Sequence, residues 1–106
     1  MSYRFMRILV MFDLPTETAN QRREYRKFRK KLITSGFIMM QESVYVKLSL
    51  NQSSTDLIIK NIKSNCPEDG LVQVLTVTEK QFTKMEFLVG EAKNDYIDTD
   101  ERFIEL

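Results

Sequence analysis

Two features of this 106-residue chain could do chemistry: a carboxylate, Asp13, at the end of an apolar run, and a concentration of cations between Arg22 and Lys31. Phe5 to Phe12 is apolar except for Arg7, and Asp13 closes the run just before Leu14-Pro15. A carboxylate at the end of a strand that is apolar on both faces sits where burial is costly, so its site is expected to offset that cost. It could do so by capping the turn before Pro15 or by ligating a hard cation. Mg2+ is commonly held by one or two carboxylates, with waters and substrate phosphate oxygens completing its shell. A single Asp is too little for a strong site, but two Asp13 side chains meeting across a two-fold axis would suffice. A metal shared in that way could polarise a phosphodiester and activate a water for in-line attack, which needs no histidine.

The second feature is Arg22-Arg23-Glu24-Tyr25-Arg26-Lys27-Phe28-Arg29-Lys30-Lys31, in which seven of ten residues are cationic. On a helix, Arg22, Arg26 and Arg29 form one stripe by their spacing, and Arg23, Lys27 and Lys30 a neighbouring one. Two cationic stripes on a rigid rod suit a polyanion backbone, giving affinity and salt dependence without reading sequence. Tyr25 and Phe28 carry the helix's apolar stripe and are expected in the core rather than stacked on bases. Ser43 could hydrogen-bond at the mouth of a site or serve turn chemistry; Glu42, Tyr45 and Asp56 are further polar groups near it or on the second helix.

Composition removes other chemistries. The chain has no His and one Cys, Cys66, so a His general base, a Ser-His-Asp triad, a Cys/His zinc site and an intrachain disulfide are all excluded. Gly36, Gly70 and Gly90 are too far apart for a phosphate-binding glycine loop. The methionines read as core and interface filler. The apolar N-terminal run is short and interrupted by Arg7, which suits neither a membrane span nor a signal peptide, and a cytoplasmic protein without membrane contact is expected. The formal net charge of +1 hides an asymmetry: residues 1–50 carry ten Lys+Arg against four Asp+Glu, whereas residues 51–106 carry six against eleven. Six of those carboxylates lie in the tail after Gly90, read as a contact to a second protomer or another partner, with residues 1–90 as one domain.

The elements that must position these groups follow from periodicity. Residues 4–13 read as a strand buried on both faces, with Met6, Ile8, Val10 and Phe12 on one and Phe5, Leu9 and Met11 on the other. Thr16 or Thr18 can cap the helix that follows, whose apolar stripe is Tyr25, Phe28, Leu32 and Ile33, and Ser35-Gly36 stops it. Residues 37–50 split around Gln41-Glu42-Ser43 into two strands, joined as a tight hairpin or a bulged run. Residues 51–65 read as a second helix on Leu57, Ile58 and Ile62, ended by Pro67 and Gly70. Residues 71–78 are a strand, and Thr83 to Val89 a fifth. The order β-α-β-β-α-β with an additional C-terminal strand is an α+β, ferredoxin-like plan. Its helices cover one sheet face only, so the apolar second face of the first strand is expected to meet a second copy of the chain, unless its own tail covers part of it.

The segment Val10-Met11-Phe12-Asp13-Leu14-Pro15, the Arg-rich helix closed by Gly36, Gln41-Glu42-Ser43-Val44-Tyr45 and Leu75-Thr76-Val77-Thr78-Glu79-Lys80-Gln81-Phe82 together resemble the CRISPR-associated protein 2 family. The resemblance covers residues 3 to about 90 and implies a homodimer that bridges dimers of the CRISPR integrase, CRISPR-associated protein 1, and holds double-stranded DNA for spacer acquisition in antiviral defence. It also implies a metal-dependent endonuclease acting on RNA or DNA, with Mg2+ as cofactor. Asp13 takes the family's metal and catalytic position, Ser43 matches the serine of its Q-x-S-V element, and Arg22 and Arg23 match its early-helix arginines. Phe12 departs from the family, standing where a tyrosine is common, as do two or three extra residues before the first arginines. A ferredoxin-like ribonuclease toxin of the virulence-associated type is the alternative reading.

Overall fold

The computed structural model describes residues 5–91. Strand β1 (Met6–Asp13) leads into helix α1 (Ala19–Thr34), the hairpin β2 (Ile38–Gln41) and β3 (Val44–Ser49), helix α2 (Gln52–Lys63), strand β4 (Leu71–Thr78) and a short helix α3 (Glu79–Thr83). The sheet is antiparallel throughout, in the order β2-β3-β1-β4. This is the ferredoxin-like arrangement expected, with β1 in the interior and β2 and β4 at the edges.

Local signals set the boundaries. Thr18, not Thr16, caps α1: its Oγ1 accepts the Gln21 N–H at 3.0 Å while Gln21 Oε1 accepts the Thr18 N–H at 3.0 Å. This reciprocal pair satisfies two donors that a helix start leaves unpaired. Asn51 caps α2 by accepting from Ser54 N–H at 2.9 Å. The hairpin answers both halves of the expectation for residues 37–50: only Glu42-Ser43 separates the strands, and the β2–β3 register shifts between Met39 and Gln41. Ser43 takes the turn's left-handed conformation at φ 61°, which costs a residue with a Cβ about 1 kcal/mol. Its carbonyl accepts the Phe12 N–H at 3.0 Å, so the turn is tied to the end of β1.

The main core lies between the sheet and the two long helices. Ile8, Val10, Phe12 and Tyr45 from the strands meet Phe28 and Leu32 of α1 and Ile62 of α2. Phe12 is its aromatic hinge, edge-on to Phe28 at 5.3 Å and to Tyr25 at 6.0 Å and stacked on Tyr45 at 5.8 Å. Two apolar positions are displaced from expectation. Ile33 and Leu57 are 47% and 69% exposed, because Phe28 with Leu32 and Ile62 with the half-buried Ile58 already fill the faces turned to the sheet.

The expected strand from Thr83 to Val89 is absent. Thr78 instead starts α3 with a second reciprocal cap, its Oγ1 accepting from Gln81 N–H at 3.0 Å and Gln81 Oε1 from Thr78 N–H at 2.9 Å. The helix runs to Thr83, and residues 84–91 form no strand. Phe82 packs with Leu9 and Val46 on the face opposite the long helices, beside Ile38, Met40, Val77 and Met85. Arg7, buried on that face, pairs with Glu79 at 2.6 Å and lies under the Phe82 ring at 4.6 Å. What reads in the sequence as an interruption of an apolar run is thus the latch that holds α3 down. The second face is covered by the chain itself at its Arg7 end.

Candidate metal and nucleic-acid site

The pairing register places Asp13 on that same second face. Leu9 lies opposite Val46 and Leu75, Met11 opposite Val44 and Gln73, and Asp13 opposite Leu71. Side chains alternate along a strand, so Asp13, Met11 and Leu9 point to the side that carries α3. Asp13 is six residues from Arg7, about 20 Å along an extended chain, and lies at the end that α3 leaves open. On edge strand β4, Leu71 beside Asp13 and Leu75 opposite Leu9 are 53% and 52% exposed.

The carboxylate itself is exposed, so within one chain it carries none of the burial cost expected of it. It makes no hydrogen bond or ion pair to a described residue. Its backbone is held firmly. Gly70, at φ +96°, sits so close that a Cβ there would lie 2.8 Å from the Asp13 carbonyl oxygen and 2.8 Å from Leu14 Cδ2. The Ser43 turn approaches the other flank through the Phe12 amide. The fold therefore brings Asp13 and the Ser43 turn to one corner of the sheet.

Among the described residues no three His, Cys, Asp or Glu side chains cluster closely enough to hold a metal ion. The donor set of one chain at this corner is a single hard carboxylate. That chemistry fits Mg2+, which tolerates few protein ligands and retains waters and phosphate oxygens; it does not fit a zinc centre, which needs a full set of protein donors.

The cations lie on the other side of the molecule. Arg22, Arg23, Arg26, Lys27, Arg29 and Lys30 are all exposed on α1, where Glu24 is the only carboxylate. They divide by what they touch. Arg22 Nη1 donates to the Thr16 and Glu17 carbonyls at 3.1 and 2.9 Å, stapling the loop before the helix, and Arg23 Nη2 donates to Asn20 Oδ1 at 2.7 Å. Arg29 Nε donates to the Tyr45 hydroxyl at 2.8 Å. Arg26, Lys27 and Lys30 make no hydrogen bond or ion pair to a described residue. With seven cations on the helix and one carboxylate, this face is a concentrated positive surface.

The remaining polar candidates are peripheral. Glu42 is exposed at the hairpin, and Asp56 accepts from Gln52 on the outside of α2 at 2.9 Å. Tyr45 is buried, and sequence reasoning missed its bond to Arg29 because no local pattern links β3 to α1. Cys66 is a free thiol whose Sγ donates to the Ile62 carbonyl at 3.3 Å, and partial burial pushes its pKa up. The acidic segment expected to contact a partner falls almost wholly at 92–106, outside the described residues. No helix among the described residues is long and apolar enough to cross a membrane.

Comparison with known proteins bears on the family and the fold. The profile of the family described as "CRISPR associated protein Cas2" matches residues 6–85. A protein of Treponema denticola named "CRISPR-associated endoribonuclease Cas2" is 56% identical over 101 residues, covering 95% of this chain and 100% of the relative. A Streptococcus mutans protein of the same name is 50% identical, over 93% of this chain and 91% of its own. A solved structure titled "Crystal structure of cas2" superposes with a TM-score of 0.57 at 21% identity, covering 84% of this chain and 91% of that one, and supports the fold.

Proposed function

The chain belongs to the CRISPR-associated Cas2 family, and from that premise we propose that it works in the cytoplasm as a homodimer that holds duplex DNA for spacer acquisition, bridges dimers of the CRISPR integrase, and carries a Mg2+-dependent endonuclease centre at Asp13. The observation that carries this reading is the division of the second sheet face. Its Arg7 end is sealed by α3, while its Asp13 end presents a carboxylate bonded to no described side chain, beside exposed Leu71 and with exposed Leu75 further along β4. An apolar strip ending in a carboxylate is what a two-fold interface needs to bring two Asp13 side chains together.

Bound there, Mg2+ would be held by the two Asp13 carboxylates, waters and phosphate oxygens, and would supply Lewis-acid charge to a phosphodiester. The protein's own contribution is placement. Gly70 and the Ser43 turn fix the backbone at Asp13, and the Ser43 hydroxyl would orient a phosphate by hydrogen bond from that turn. The α1 cations, Arg26, Lys27 and Lys30 foremost because no described residue pairs with them, attract the nucleic-acid backbone. Arg22 and Arg23 contribute charge from positions already tied to the helix start. The relatives' names favour RNA as the strand that is cut, and family membership favours this reading over the toxin alternative.

Two experiments test it. Arg26→Glu/Lys30→Glu is expected to weaken binding of a short DNA duplex at low salt by about a hundredfold or more, since each contact adds to counterion release; undiminished binding removes α1 from the account. Asp13→Ala, still folded and dimeric, is expected to lose Mg2+-dependent cleavage of RNA or DNA; retained cleavage rules out Asp13 as its centre.

A further inference from the structure

Arg29 differs from every other cation of α1 in being tied to the sheet. Its Nε donates to the hydroxyl of Tyr45 at 2.8 Å, and Tyr45 is 1% exposed, with its ring stacked 5.8 Å from Phe12. A buried tyrosine hydroxyl needs a partner. Here the partner comes from an otherwise exposed guanidinium, whose terminal amino groups make no bond to a described residue. A guanidinium held by Nε still presents two amino groups in a planar fork, the geometry that grips a phosphate bidentately. The other cations must give up side-chain freedom to make such a contact, whereas Arg29 has already lost part of its own. The tether is also a ruler: Arg29 is joined through Tyr45 and Phe12 to the strand position immediately before Asp13.

We propose that Tyr45 is a positioning residue for nucleic-acid binding, holding Arg29 as a preorganised phosphate fork at a fixed place relative to the Asp13 corner. The inference rests on α1 being the nucleic-acid face. Tyr45→Phe keeps the ring in the core and removes only the hydroxyl. It is expected to lower affinity for a short DNA duplex about three- to tenfold, the scale of one hydrogen bond's net contribution. Because no charge is lost, the slope of log affinity against log salt should not change. Arg29→Gln is expected to lower affinity and to reduce that slope by about one contact's worth. In the Arg29→Gln background Tyr45→Phe should have no further effect, and the resonance of the Arg29 Nε–H, which donates to Tyr45 in the wild type, should broaden in Tyr45→Phe. A merely structural tyrosine would cost the same affinity in both backgrounds.

Wild-type affinity in Tyr45→Phe, or an equal loss with and without Arg29, overturns the positioning role. Charge reversal at Arg26 and Lys30 separates this from the broader reading. If that reversal leaves binding intact, the helix is not the binding face and both fall. If it weakens binding while Tyr45→Phe does not, only the role of Tyr45 falls.

Discussion

Asp13 owes its place to its neighbours rather than to any bond from its carboxylate to a described residue. Gly70 allows the chain to pass against the Asp13 carbonyl and Leu14 at a φ that side chains avoid, so Gly70→Ala is expected to cost about 1–3 kcal/mol. Chemical denaturation checks the cost, and cleavage by the variant, expected to fall, reports the displaced carboxylate. At Cys66, partial burial disfavours the thiolate and raises the pKa, so the thiol stays protonated over a wider range than a free cysteine. Alkylation by iodoacetamide should therefore be slow at neutral pH, with a rate that rises at a higher pH than for a free thiol. The position of Asp13 was legible in the sequence, as a carboxylate ending the apolar first strand. Its exposure was not, because burial depends on which part of the second face the chain covers for itself.

The long elements were legible because each combined apolar periodicity with a recognisable start or stop, as at Thr18 and Ser35-Gly36 for α1. The C-terminal element was misread because Thr83 to Val89 is rich in bulky residues that suit a strand. The contrary signal was present: Thr78-x-x-Gln81 repeats the Thr18-x-x-Gln21 pattern that starts α1. What no local pattern contains is the pairing of Arg7 with Glu79, 72 residues apart. Removing Glu79 would take away both carboxylate contacts of a guanidinium whose side chain is 3% exposed, so Glu79→Ala is expected to destabilise the fold by about 2–4 kcal/mol, somewhat less than a fully buried pair because Glu79 is partly exposed. Urea denaturation gives the magnitude. Glu79→Gln, which retains hydrogen bonding, should lose less.

Charge and apolar surface are segregated across the molecule: cations on α1, on one side of the sheet, and Asp13 with Leu71 and Leu75 on the other. That segregation was legible as the basic first half of the chain and the two-faced apolar character of β1. The share of the second face that α3 takes was not. If the open remainder is a dimer interface, Leu75→Glu should raise the dimer dissociation constant roughly a hundredfold or more, the effect of burying an unpaired charge, and sedimentation velocity would show the shift to monomer. A pairing that brings Asp13 side chains together on one side would leave the two α1 helices on outer surfaces, where they can hold a duplex for the integrase. The most direct test is spacer integration in vitro with the cognate integrase, comparing the wild-type chain with a folded, dimeric Arg26→Glu/Lys30→Glu variant. The account predicts integration of a duplex substrate with the wild type and its loss with the variant. Integration by the variant at the wild-type level would contradict it.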